Sequence, residues 1–133
     1  MRRKKIPLEK VQEAFNAAIK RRDMRCMVQD YEPCCGSLEC SHFYTVGSSP
    51  SLRFYPPNAY AQCQKHHWNH HNKRKPFYSE WMWLKHTDNC LDMDAFRHCY
   101  IKYTDELKAQ IIRLCEEDKL DELKTLIKTE LTK

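Results

Sequence analysis

Apolar positions carry the first signal. Leu8, Val11, Phe15, Ala18 and Ile19 recur at steps of three and four, which lays one stripe along a helix from Leu8 to about Arg22. Pro7 stands where a helix start tolerates it. Lys20, Arg21 and Arg22 fall in the last turn, where the carbonyl dipoles favour cations. From Asp23 to Pro57 this rhythm is lost, and Pro33, Gly36, Gly47, Pro50, Pro56 and Pro57 punctuate the chain. Two short runs between them, Cys40–Val46 and Leu52–Tyr55, are partly aromatic or β-branched. They predict a β-hairpin joined by Gly47-Ser48-Ser49-Pro50-Ser51.

Beyond the Pro56-Pro57 break a helix is expected to start at Cys63. On it His67 and His71 share one face, and His66 and His70 form a second pair rotated by about 100°. Phe77 to Lys85 is aromatic and helix-compatible. Phe77, Tyr78, Trp81, Trp83 and Leu84 are read as core packed on the hairpin rather than as a stacking surface for bases. Asp92 to Tyr103 predicts a further helix. Asp105–Cys115 and Leu120–Leu131 predict a helical hairpin with Leu107, Ile111, Leu114, Leu123, Ile127 and Leu131 among its apolar positions. Glu116-Glu117-Asp118 contains no glycine, so one continuous helix is the alternative there. The pattern gives an α+β, mainly helical fold. A basic arm covers 1–7, an N-terminal helix and a Cys/His core cover 8–76, and a helical region over 77–133 packs on that core as part of one domain.

Composition sharpens this picture. The chain has 133 residues, 41% of them hydrophobic and 31% charged, the balance of a globular domain with a modest core. No apolar run approaches the roughly 18–20 residues that span a bilayer, and Ile6-Pro7-Leu8 is too short for the apolar region of a signal peptide. A cytoplasmic protein with no membrane partner is expected. In a reducing compartment, clustered cysteines beside histidines point to metal rather than to disulfides. The net charge of +5 is modest, but cations concentrate at residues 2–5, 20–22 and 73–75, and the last two clusters flank the Cys/His region. Such placement suits phosphate contacts to nucleic acid.

The stretch from Cys26 to Asn72 holds five of the eight cysteines, five of the seven histidines and both glycines. A tetrahedral zinc needs four soft or borderline ligands on two short loops. Cys63-x-x-His66 supplies one loop. For the other, Cys26 pairs with Cys35, because Cys35 precedes Gly36 and glycine permits the tight turn of a zinc knuckle. Cys34 or Cys40 are the alternates in that pair. Such a zinc would contribute on the order of 10 kcal/mol to folding. Cys90, Cys99 and Cys115 fall among apolar or helical positions and read as small buried hydrophobes.

Between these clusters the order is His42, Asn58, His67, with His71 one turn further on. It resembles the HNH pattern of ββα-metal nucleases. Gln12-x-Ala14-x-Asn16-Ala17-x-Ile19-Lys20-x-Arg22-Asp23, followed by Cys26, Cys35-Gly36, Ser41-His42-Phe43-Tyr44, Leu52-Arg53-Phe54, Asn58 and Gln62-Cys63, resembles the NinG (Rap) family of lambdoid phages over roughly residues 10–80. The resemblance implies a zinc-stapled ββα-metal (HNH) core and a metal-dependent endonuclease acting on DNA in phage recombination or branched-DNA processing, in the cytoplasm of a bacterial host. It implies His42 as general base, Asn58 as the residue that orients this histidine or helps bind metal, and His67 with His71 as ligands of a catalytic Mg²⁺ or Mn²⁺. Arg53 and the Lys73-Arg74-Lys75 cluster would hold neighbouring phosphates. Branched or junction DNA offers two strands to cut, which favours a homodimer. The alternatives are a non-catalytic zinc-containing module that binds nucleic acid, and a structural zinc protein acting on another protein through its helical tail.

Overall fold

The computed structural model describes residues 5–133. Residues 1–4 of the expected basic arm lie outside the described residues; Lys5 to Pro7 lead without regular structure into the first helix. The fold is α+β and mainly helical. Its described elements are α1 (Leu8–Asp23), β1 (Leu38–His42), β2 (Ala59–Cys63), α2 (Gln64–His71), α3 (Phe77–Lys85), α4 (Thr87–Phe96), α5 (Asp105–Glu116) and α6 (Leu120–Leu131). No described helix is long and apolar enough to cross a membrane.

The expected apolar stripe of α1 buries Val11, Phe15, Ala18 and Ile19 against α5 and the sheet. Its last turn is fastened to the second strand. Arg22 Nη2 donates to the Ala59 carbonyl at 2.6 Å, and Asp23 Oδ2 accepts from the Ala61 amide at 2.8 Å. Arg21 meanwhile donates to Asp118 and to the Cys115 carbonyl. The Lys20-Arg21-Arg22 cluster therefore commits two of its three charges to partners within the chain.

The sheet has two antiparallel strands, with Leu38 opposite Cys63, Cys40 opposite Ala61 and His42 opposite Ala59. This corrects the expected hairpin. The first strand ends at His42 rather than running to Val46, and Leu52–Tyr55 is not a strand. Pro50 opens a 3₁₀ turn over Pro50–Leu52, and a second one covers Pro56–Asn58. Proline fixes φ and withholds a donor, so pairing starts only beyond Pro57. Ala59–Cys63 has little intrinsic strand preference. All five of its residues are buried, and burial selects it.

The C-terminal half follows the expected helical hairpin. Thr104 Oγ1 accepts from the Leu107 amide and caps α5. Leu107, Ile111, Leu114, Leu123, Ile127 and Leu131 are buried. The helices are separate. Asp118 takes the left-handed conformation (φ 55°), and the Lys119 amide closes on the Leu114 carbonyl at 2.8 Å, so an aspartate does what a glycine commonly does. The helix expected over Asp92–Tyr103 is displaced to Thr87–Phe96. Its end is fixed from outside, by Ser51 Oγ donating to the carbonyls of Phe96 and Arg97. In α3, Tyr78 is buried and donates to the Ser41 carbonyl at 2.8 Å, and Trp81 packs edge-on to Tyr60. Trp83 and Leu84 are exposed, which corrects their expected place in the core.

A tight fit joins the loop before β1 to α2. The first three amides of α2, the donors a helix leaves unpaired, are all taken. Gln64 donates to the Ser37 carbonyl, Lys65 to the Cys35 carbonyl and His66 to Cys63 Sγ. Gly36 passes over this helix start with φ +89°, and a Cβ there would sit 2.7 Å from Gln64 Cβ. Gly36→Ala should therefore cost about 1–3 kcal/mol from its backbone conformation alone. An unchanged urea midpoint for the zinc-loaded variant would refute this fit.

Candidate functional site

Cys26 and Cys63 are brought together by backbone pairing, as the Met27 amide donates to the Ala61 carbonyl and draws the Cys26 loop alongside β2. The start of α2 then turns His66 inward. The result is a cluster of Cys26, Cys34, Cys63 and His66, whose ligand atoms lie within 4.8 Å of one another. His66 Nδ1 stands 3.3 Å from Cys26 Sγ, 3.2 Å from Cys63 Sγ and 3.9 Å from Cys34 Sγ. A tetrahedral zinc with bonds of about 2.3 Å to sulfur and 2.0 Å to nitrogen requires sulfur–nitrogen separations of about 3.6 Å. Three thiols and one imidazole at these distances fit a structural zinc.

The structure corrects one expected ligand. Cys35 is exposed and outside the cluster, where its carbonyl caps α2 instead; the alternate Cys34 takes its place. Cys40 lies elsewhere, buried on β1. Glu32, which the sequence reading passed over, has Oε1 3.3 Å from His66 Nε2. That nitrogen is buried and lacks an aligned hydrogen bond. A carboxylate behind a ligating imidazole is the usual means of fixing its orientation.

The three thiols shift one another's ionisation. Burial raises the Cys26 pKa. Desolvation and the neighbouring thiols of Cys26 and Cys63 push Cys34 up to about 12. Burial acts upward on Cys63 too, but hydrogen bonds from the His66 and Cys35 backbones and from the other two thiols bring it below its ordinary value. Thiolates crowded this closely repel one another, and a divalent ion removes that penalty. All eight cysteines are free.

On the other side of the sheet end, His42, His67, His70 and His71 line a cleft of about 470 Å³ with Gln12, Asn16, Cys40, Arg53 and the Thr45–Gly47 turn. His42 leaves the end of β1 and lies flat on Phe15, ring centroids 5.9 Å apart. Its Nε2 is 2.8 Å from the Arg53 carbonyl. A carbonyl only accepts, so Nε2 carries the proton and the lone pair is on Nδ1. Burial lowers the His42 pKa against the raising effect of that carbonyl, with the charges of His67 and Arg53 adding to the lowering. His42 is thus neutral at pH 7.

His67 Nδ1 is held at 2.9 Å by Glu39 Oε1, another residue the sequence reading did not single out. His70, also unexpected, approaches the Phe43 carbonyl through Nε2 at 3.0 Å and stacks on Phe43. Asn58 is fully buried, and its side chain makes no hydrogen bond to His42. Its Oδ1 accepts from the Tyr44 amide, and its Nδ2 donates to the carbonyls of Tyr44 and Leu52. It clamps both ends of the 44–52 loop, next to the Arg53 carbonyl that orients His42. The expected direct contact of Asn58 with His42 is not among these hydrogen bonds. Among the described residues only the Cys26 cluster brings three or more ligand groups together; His42, His67 and His71 share a cleft without converging on one point.

Arg53 lines this cleft with Nε bonded to Gln12 Oε1 at 2.7 Å, and Gln12 in turn holds Asn16. A second groove of about 590 Å³, lined by Lys73, Arg74, Lys75 and Arg97, shares Thr45, His70 and His71 with the first. Lys73 is held in the left-handed region (φ 56°), turning the chain after α2. In comparisons with known proteins, no family model, no curated protein and no solved structure matches this chain.

Two substitutions separate the neighbouring cysteines. Purified protein should contain one zinc per chain by elemental analysis, lost in Cys34→Ser and retained in Cys35→Ser. Glu32→Ala should weaken zinc binding by about 10- to 100-fold in a competition titration. Equal zinc content in the two serine variants would sink the assignment.

Proposed function

We propose that the chain is a metal-dependent endonuclease of the HNH type that hydrolyses phosphodiester bonds in DNA. The observation that carries the reading is His42: a neutral imidazole, its proton committed to the Arg53 carbonyl through Nε2, its Nδ1 lone pair available in a cleft that Arg53, His67 and His71 also line. The order of two antiparallel strands followed at once by a helix that brings His67 and His71 to the same cleft supports it.

In this reading His42 Nδ1 takes a proton from a water molecule, the water oxygen forms a bond to phosphorus, and the bond from phosphorus to the leaving oxygen breaks. The leaving oxygen is protonated from solvent. A divalent cation, when bound, would offset charge on the phosphate and stabilise the leaving oxygen. His67 and His71 would hold that cation. The Glu39 carboxylate on His67 Nδ1 leaves Nε2 as the donor, the arrangement common to ligating histidines. An imidazole donor set fits Mn²⁺ better than Mg²⁺, which prefers oxygen ligands. Arg53, Lys73, Arg74 and Lys75 would bind flanking phosphates. The zinc cluster holds the scaffold and takes no part in the chemistry.

A second reading, a zinc-stapled module that binds nucleic acid without cutting it, is favoured by one observation. His42, His67 and His71 do not close on a common point among the described residues.

His42→Ala separates the two. It should reduce nicking of duplex DNA in Mn²⁺ by about 10²–10⁴-fold, with DNA binding in Ca²⁺ unchanged. Because the His42 pKa is lowered, the base stays competent as pH falls to 6.5, and the acid limb of the rate profile should lie below 6.5. Cleavage by wild type that survives His42→Ala refutes the mechanism, and binding without any cleavage moves the assignment to the second reading.

A further inference from the structure

A third groove of about 650 Å³ adjoins the two already described. It is lined by Arg97, His98, Tyr100, Lys102 and Tyr103 from the segment between α4 and α5, together with Arg53 and Ser48. The three grooves surround the 45–53 loop. Arg53 borders the first and third, and Ser48 and Arg97 border the second and third. No carboxylate lines any of them. Arg97 lies 4.4 Å over the Tyr44 ring and, among the described residues, forms no ion pair or side-chain hydrogen bond. Lys102 is exposed. Tyr100 is 82% exposed, although a residue of its size and apolar character is ordinarily at least half covered.

These features differ from those of the hydrogen-bonded cleft around His42. An exposed ring beside unpaired cations is the combination that binds single-stranded nucleic acid: bases stack on the ring, and cations track the backbone. A duplex keeps its bases stacked inside and has nothing to offer the ring. We infer that the groove formed by Arg97, Tyr100 and Lys102 is a docking site for an unpaired DNA strand, continuous through Arg53 with the proposed cutting cleft. This rests on the nucleic-acid reading above and adds to it a substrate feature, a single-stranded segment next to the bond that is cut.

The test uses the full-length, zinc-loaded chain carrying His42→Ala, without added divalent cation, and reads binding by fluorescence anisotropy. The probes are an end-labelled oligothymidine and a blunt duplex. Tyr100→Ala should weaken oligothymidine binding by about 5- to 150-fold and change duplex binding by less than about twofold, and Tyr100→Phe should restore it. Lys102→Ala should flatten the dependence of log K on log salt for oligothymidine by about 0.7. If Tyr100→Ala leaves oligothymidine affinity unchanged, or lowers both probes in parallel, the docking site is wrong while the nucleic-acid reading stands. If the parent binds neither probe, both fall together.

Discussion

The structure depends on one meeting point, where the loop 26–37, the end of β2 and the first turn of α2 converge on Cys26, Cys34, Cys63 and His66. This part of the chain has little else to hold it. From Met24 to Ser37 only Cys26 and Val28 are buried hydrophobics. A loop of that length loses roughly 1–2 kcal/mol of backbone entropy per ordered residue, and two apolar side chains offset a small part of that. The Met27 amide on the Ala61 carbonyl, the contacts of Glu32 with Lys65 and His66, and the three α2 amides taken by Ser37, Cys35 and Cys63 help to order it, and four ligands placed to hold one ion would add to them. The α2 amides and the cluster support each other, because the capped amides bring Cys63 and His66 to the cluster, and the cluster holds the carbonyls that cap them.

That meeting point also positions the cleft. The hairpin carries Cys63 opposite Leu38 at one end and His42 opposite Ala59 at the other, about four residues or roughly 13 Å away. His66 and His67 are consecutive on α2, so their side chains diverge by about 100°. One faces the thiols, the other faces Glu39 and the cleft. The angle and the hairpin length together keep the cluster of three thiols and His66 apart from the cleft lined by His42, His67 and His71, though a single short helix serves both. Loss of the cluster would free the helix start, and His67, His70 and His71 would lose their register against His42 together.

Much of this was legible in the sequence, for physical reasons that differ by element. The helices α1, α5 and α6 declared themselves because each buries a single stripe, and burial on one side is what periodicity records. The Cys63-x-x-His66 spacing fixed half of the cluster because both ligands lie on one turn. The other half depended on which of two adjacent cysteines turns inward. That was decided by the demand of α2 for the Cys35 carbonyl, a tertiary fact that spacing does not carry. β2 was hidden because a strand buried on both faces has no alternation, and Ala59-Tyr60-Ala61-Gln62-Cys63 has weak strand preference. Glu32 and Glu39 were passed over because carboxylates that support a histidine come from other segments of the chain and have no local signature.

The same contrast separates the basic residues. In sequence, Lys20-Arg21-Arg22 and Lys73-Arg74-Lys75 are equivalent clusters beside the Cys/His stretch. In the fold, Arg21 and Arg22 close onto backbone carbonyls and carboxylates. Arg74 and Lys75 instead lie over the rings of Trp68 and Phe77, with no carboxylate in their groove. A cation already paired gains little from a phosphate, since it must give up one partner to take the other. A cation resting on an aromatic face keeps that contact and its charge. The cations that face a groove with no carboxylate in it are therefore those of the second cluster together with Arg53 and Arg97. These bracket the loop that Asn58 clamps, which gives Asn58 a second consequence. By fixing the 44–52 loop, it sets both the carbonyl that orients His42 and the spacing between the grooves on either side.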